Sequence, residues 1–139
     1  MVVNLVVDTS VWSLILRRPH IEEDNPFVQA FRHHLTAEDG FFILGNILQE
    51  LLDGLRSPKQ FQQLIRYMEP FPLLTLSRAS YVEAASLKTL CRKKGIQGSP
   101  VDFLIASACI EHGFPLLTGD KDFLRISKYS ELLVLPPLE

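Results

Sequence analysis

Cysteine is scarce in this sequence: Cys91 and Cys109 are the only two in 139 residues. They form no CxxC pair and sit in helical, partly apolar contexts, so two buried free thiols are expected rather than a disulfide framework. Histidine is equally thin. His20, His33, His34 and His112 lack zinc-site spacing and fall near expected turns or helix ends, which argues against a zinc centre. No apolar run reaches the roughly 18–20 residues that cross a bilayer. The short N-terminal run has no basic n-region and is interrupted by Asp8, so it does not read as a signal peptide. A cytosolic protein without a membrane partner is expected. Excess charge is lacking too, since 14 Lys and Arg against 16 Asp and Glu leave a net charge of −2. That balance gives no global pull towards nucleic acid, yet it leaves room for an acidic, metal-loaded site with a basic rim. No repeat, low-complexity tract or linker divides the chain, and its length suits a single domain over 1–139.

What is present is an ordinary globular composition, 47% hydrophobic and 22% charged, arranged as alternating strand and helix signals. Val2 to Val7 is a short β-branched apolar run that ends in Asp8-Thr9-Ser10, which suits a strand covered on both faces. A helix is expected from Ser10 to Arg18, capped by Thr9 or Ser10 and stopped by Pro19, followed by an acidic loop from Ile21 to Asp24. Asn25-Pro26, Ser57-Pro58 and Ser99-Pro100 each place a capping side chain before proline at the first helical position. Asn46, with Gln49 three residues on, reads as the cap of a helix that closes at Gly54. Ser77 opens a long helix ending near Lys94, with Gly95 at C′. Further strands are expected at Phe41–Leu44, Phe71–Thr75, Pro115–Thr118 and Leu132–Leu135, and a short helix over 121–127. Strands alternating with helices predict an α/β fold with a parallel sheet and helices on both faces.

Four acids stand out by position. Asp8 and Asp120 follow expected strands, Asp102 lies in the first turn of a helix, and Glu50 lies near the start of another. In a parallel α/β sheet, strand carboxyl ends and the N-termini of following helices share one edge, so these side chains can meet there. Each also has a plain structural explanation: Asp102 as a helix N3 acid, Asp120 as a turn residue, Glu50 as a solvated helix residue. Asp8 is harder to dismiss, because a carboxylate ending a buried strand needs a partner. Like charges at short range repel, and a divalent cation removes the conflict. Hard oxygen ligands suit Mg²⁺ or Mn²⁺, which can activate water and offset charge developing on a phosphodiester.

Asp8-Thr9-Ser10, Gln49-Glu50-Leu51-Leu52, Val101-Asp102-Phe103-Leu104-Ile105-Ala106 and Thr118-Gly119-Asp120-Lys121-Asp122-Phe123 together resemble the motifs of PIN domains. Their order and spread are similar especially to the VapC-type toxins of type II toxin–antitoxin modules. The resemblance runs from residue 3 to about 127. It implies a three-layer α/β/α sandwich with a central parallel sheet of about five strands. It also implies a Mg²⁺- or Mn²⁺-dependent endoribonuclease leaving 5′-phosphate and 3′-hydroxyl ends, a homodimer, and a small VapB-type antitoxin. By position, Asp8, Glu50, Asp102 and Asp120 match the family's acidic quartet. Asp8, Asp102 and Asp120 are the expected metal ligands, Asp8 and Asp102 foremost. Asp122 falls where some members carry an additional acid, and Thr9 and Thr118 match supporting hydroxyls.

For RNA contact, Arg17 and Arg18 end the first helix, Arg32, His33 and His34 cluster on the second, and Arg92, Lys93 and Lys94 end the long one. Cations at helix C-termini are favoured without any ligand, so each group also has a structural reading. Trp12 reads as a packing residue or as a stacking platform for a splayed base. Ile15, Leu16 and Phe31 could line a groove for a partner helix but default to core. A dehalogenase-type phosphatase would need a second Asp where Ser10 stands, and a receiver domain an acidic pair where Asp8 is single. Two other readings stand beside the toxin: a PIN nuclease in RNA maturation or turnover without an antitoxin, and a non-catalytic RNA- or protein-binding PIN-like module.

Overall fold

The computed structural model describes residues 2–17 and 24–137, with Arg17 as backbone alone. Arg18, Pro19, His20 and the first residues of the acidic loop, 21–23, lie outside the described residues. The elements run β1 (Asn4–Val7), α1 (Thr9–Arg17), α2 (Pro26–Thr36), β2 (Gly40–Phe42), α3 (Gly45–Asp53), α4 (Pro58–Met68), α5 (Arg78–Lys93), α6 (Pro100–His112), β3 (Leu116–Leu117) and α7 (Lys121–Ser127).

β1 is the middle strand of a parallel sheet in the order β2-β1-β3. Leu5 pairs with Phe41 and Val7 with Leu117, and Leu5, Val6 and Val7 are fully buried, as an unbroken apolar run requires. The sheet has three laddered strands rather than the five expected. The two outer segments contribute single parallel bridges instead, Ile43 with Leu73 and Leu116 with Val134. Proline explains the truncation. Pro70 precedes the first segment, Pro72 lies within it next to Leu73, and Pro136-Pro137 follow the second, and proline donates nothing to a ladder. What survives is a pair of bonds on each side: Ile43 N–H to Pro72 C=O at 3.1 Å and Leu74 N–H to Ile43 C=O at 2.8 Å, then Leu116 N–H to Leu133 C=O and Leu135 N–H to Leu116 C=O at 2.9 Å each.

The helices start and stop largely where their punctuation indicates. Asn25 Oδ1 accepts from the Phe27 and Val28 amides, and Ser57 Oγ accepts from Gln60 N–H. Gly113 closes α6 at φ +70°, a left-handed conformation that glycine adopts without strain. Ser99 and Asp102 form a reciprocal capping box at the start of α6. Two caps differ from expectation. α1 begins at Thr9, because the Asp8 carbonyl accepts the Val11 and Trp12 amides, both at 3.1 Å. The Thr9 and Ser10 hydroxyls are thereby released for other bonds. α3 begins at Gly45 after Leu44, with no side-chain cap, so Asn46 lies inside the helix. Its Oδ1 and Nδ2 are buried without partners.

The core gathers around β1 and α6. Phe103, Ile105, Ala106, Ala108 and Cys109 of α6 are nearly or fully buried, and α5 packs along this helix. Trp12 is wholly buried, with its ring 5.2 Å from Phe31 and 4.9 Å from Phe71, so it is a packing residue and not a stacking platform. Phe31 is core as well. Both cysteines are free and buried. Among the described residues, no helix is long and apolar enough to cross a membrane.

Candidate active site

The carboxyl end of β1 delivers Asp8 into a buried polar pocket, where it is 7% exposed. Thr118, immediately after β3, donates its hydroxyl to Asp8 Oδ2 at 2.8 Å, and Ser10 donates to the same oxygen at 3.0 Å. Parallel pairing of β1 with β3 sets these residues side by side, since Asp8 N–H itself reaches Leu117 C=O at 3.0 Å. The two hydroxyls also accept. Gly119 N–H bonds Ser10 Oγ, and Asp120 N–H bonds Thr118 Oγ1, each at 3.0 Å. The turn carrying Asp120 is thus tied to the oxygen-rich end of β1 by the Thr118–Asp8 and Gly119–Ser10 bonds, with Ser10–Asp8 and Asp120–Thr118 bracing either side.

Burial pushes the Asp8 carboxyl above its ordinary value, while the Thr118 and Ser10 hydroxyls and the nearby Thr9 and Ser10 amides pull the other way without cancelling it. The neighbouring Cys109 thiol is pushed up to about 12, first by burial and then by the Asp8 charge. A thiol in that state is no nucleophile.

Asp102 from the first turn of α6 and Asp120 and Asp122 at the start of α7 converge, one carboxylate oxygen of each lying within 4.8 Å of the others. Local structure accounts for each position. Asp102 Oδ2 accepts Ser99 N–H at 3.0 Å, Asp120 Oδ1 accepts Asp122 N–H at 2.9 Å as the cap of α7, and Asp122 Oδ1 accepts from Arg125 at 2.7 Å. These structural bonds fall on one oxygen of each acid, so the structural and ligating readings of Asp102 and Asp120 are compatible. Asp8, expected foremost among the ligands, is not a member of this close group, whereas Asp122, the weaker expectation, is. Glu50 is exposed on α3 and accepts the Thr9 hydroxyl at 3.1 Å. It lies on a cleft of about 440 Å³ together with Asn46, Asp53 and Asp102, and borders a larger one of about 670 Å³ between α1 and α4.

The donor set fits a hard divalent ion. The clustered groups are all carboxylates, with no histidine or cysteine among them. Three carboxylate oxygens within 4.8 Å of one another are close enough for side-chain rotation to bring them onto one shared ion.

Arg92, Lys93 and Lys94 are exposed at the end of α5, and Lys94 Nζ stands 5.8 Å from the Tyr129 ring centroid. Arg32 and His33 are exposed on α2, while His34 is turned to Asp39 at 2.7 Å. The Arg17 side chain and Arg18 lie outside the described residues. Two elements of the site escaped sequence reasoning. The sequence offers Ser10 as a helix cap and as part of the Asp8-Thr9-Ser10 motif, and points to no role for Arg125. The sole hint for Arg125 was its i,i+3 spacing from Asp122.

Residues 5–129 match the family model described as PIN domain. No curated protein matches the chain. Among solved structures, the chain is similar to one in the crystal structure of VapBC2 from Rickettsia felis bound to a DNA fragment from their promoter. The TM-score is 0.74 at 20% identity, covering 95% of this chain and 97% of that one. FitAcB from Neisseria gonorrhoeae gives 0.70 at 21% identity, covering 96% and 97%. VapBC-1 from nontypeable Haemophilus influenzae gives 0.73 at 16% identity, covering 95% and 96%. At these identities the likeness establishes the shared fold.

Proposed function

Since the chain belongs to the PIN domain family, we propose that it is a Mg²⁺- or Mn²⁺-dependent endoribonuclease and the toxin of a VapBC-type module. The observation that carries this reading is the convergence of Asp102, Asp120 and Asp122 within 4.8 Å, with the Thr118 hydroxyl linking the Asp120 amide to the buried Asp8 carboxylate. Asp102, Asp120 and Asp122 would hold the ion, with Asp8 as the buried fourth carboxylate and Glu50 at the rim. When bound, such an ion activates water and offsets the charge developing on the phosphodiester.

The chain's own contribution is positioning. Thr118 and Ser10 fix Asp8 and, through the Asp120 and Gly119 amides, fix the turn that carries Asp120. The Ser99 capping box fixes Asp102, and the Thr9 hydroxyl orients Glu50. Arg92, Lys93 and Lys94 give an exposed basic edge suited to RNA phosphates. The fold shared with VapBC and FitAB complexes supports an antitoxin partner, and homodimerisation and a cytosolic setting belong to the same reading.

The test is cleavage of structured and unstructured RNAs by the purified protein, with Mg²⁺ or Mn²⁺ and with EDTA. Wild type should cut only with the metal, and Asp8→Asn and Asp120→Asn should each reduce cutting by at least about 100-fold. Full activity in either variant would remove the assignment. For the toxin reading, expression should arrest growth, with rescue by the product of an adjacent small gene. Cleavage without arrest would favour a role in RNA maturation.

A further inference from the structure

Arg125 lies in the last turn of α7, one turn after Asp122 and on the same side of the helix. Its Nη1 donates to Asp122 Oδ1 at 2.7 Å, and the pair is open to solvent, the arginine side chain 56% and the aspartate 39% exposed. Asp122 is at the same time one of the three clustered carboxylates. A single acid is therefore shared between an exposed guanidinium and the place where a divalent ion fits. An exposed ion pair contributes little stability, so an ion held by three carboxylates takes Asp122 with ease.

We propose that Arg125 is a phosphate-contacting residue of the RNA site. It rests on Asp122 in the metal-free protein and turns to a phosphate oxygen of the substrate once Asp122 is committed to the ion. The inference rests on the metal-dependent ribonuclease reading above. Three features carry it. The guanidinium already stands at hydrogen-bond distance from the acid cluster, and a phosphodiester bound for cleavage must come there. Its planar fork matches two phosphate oxygens, which a lysine ammonium does not. Its long, half-exposed side chain can change partner without disturbing the buried Phe123 and Ile126 that anchor α7.

The test compares wild type, Arg125→Ala and Arg125→Lys. Single-turnover cleavage of a short single-stranded RNA in Mn²⁺ is measured over a range of NaCl, with calorimetric titration of Mn²⁺ alone as the independent readout. Loss of one phosphate contact should make the slope of log affinity against log salt shallower by about 0.7. Half-saturation for RNA should rise about tenfold in Arg125→Ala. Mn²⁺ should bind that variant as tightly as wild type or more tightly, because its competitor for Asp122 is gone. Arg125→Lys should restore the slope while recovering only part of the affinity. An unchanged salt slope in Arg125→Ala, or weakened Mn²⁺ binding, overturns the proposal while leaving the ribonuclease reading intact. Failure of wild type to cleave RNA overturns both.

Discussion

Replacing Thr118 by valine keeps the shape of a side chain that is 4% exposed and removes only its hydroxyl. That hydroxyl donates to Asp8 Oδ2 at 2.8 Å and accepts Asp120 N–H at 3.0 Å. A bond to a charged acceptor is worth about 1.5–3 kcal/mol, and an orphaned amide adds about 1 kcal/mol, so the expected loss is about 2.5–4 kcal/mol. For 139 residues at about 2.1 cal/mol/K per residue, that lowers Tm by roughly 9–14 °C. The effect has a pH signature. The Thr118 bond holds the Asp8 carboxyl down against burial, so its loss lets that pKa rise further. Its stabilisation belongs to the ionised form and is present above the carboxylate range. It shrinks as pH falls and the carboxyl protonates. Scanning calorimetry of Thr118→Val and Thr118→Ser at neutral pH and at about pH 3 is the assay. The serine variant should keep most of the stability, and the valine deficit should narrow in acid. A valine variant within about 1 °C of wild type at neutral pH would refute the reasoning.

Because burial raises the Asp8 pKa, the metal-free protein loses stability as pH rises from the ordinary carboxylate value to the raised one. Asp8→Asn keeps an oxygen for both hydroxyls and carries no charge, so it should melt higher than metal-free wild type at neutral pH, the gap closing in acid, while cleavage is lost. Ser99→Ala breaks the capping box that holds Asp102 and should cost about 0.5–2 kcal/mol by denaturant unfolding, with weaker Mn²⁺ binding in the same preparation. Cys109, 1% exposed and with its thiol pushed up to about 12, should resist a thiol reagent in the native protein and react only on unfolding. Rapid native labelling of Cys109 would mean that the floor of the site opens.

Much of the positioning is local, and that part is legible in the sequence. The apolar run into Asp8 and the cap-proline pairs at Asn25, Ser57 and Ser99 act within a few residues, and each appears where expected. The outer strands were legible as extended segments but not as single bridges, because the prolines beside Leu73 and Val134 limit pairing that depends on distant partners. Asn46 misled as a cap: a capping side chain in sequence does not say whether the helix has already begun, and here it starts at Gly45. Among the acids, separations of up to 112 positions between Asp8 and Asp120 hid who stands next to whom. The sheet register ties Asp8 to Thr118, whereas the cap of α7 brings Asp122 into the close group beside Asp102 and Asp120. Hydroxyl exchange at Thr9 and Ser10 followed from the one-residue shift in the start of α1, which no local pattern signals.

Metal rescue tests the central claim most directly. Protein stripped with EDTA is titrated with Mn²⁺, and cleavage of labelled RNA is followed beside calorimetric binding in the same buffer. If the acids at this sheet edge hold the ion that drives RNA cleavage, activity returns with the midpoint of Mn²⁺ binding, and Asp120→Asn loses both together. Cleavage that persists in EDTA, or an Asp120→Asn variant that binds Mn²⁺ and cuts like wild type, would contradict it.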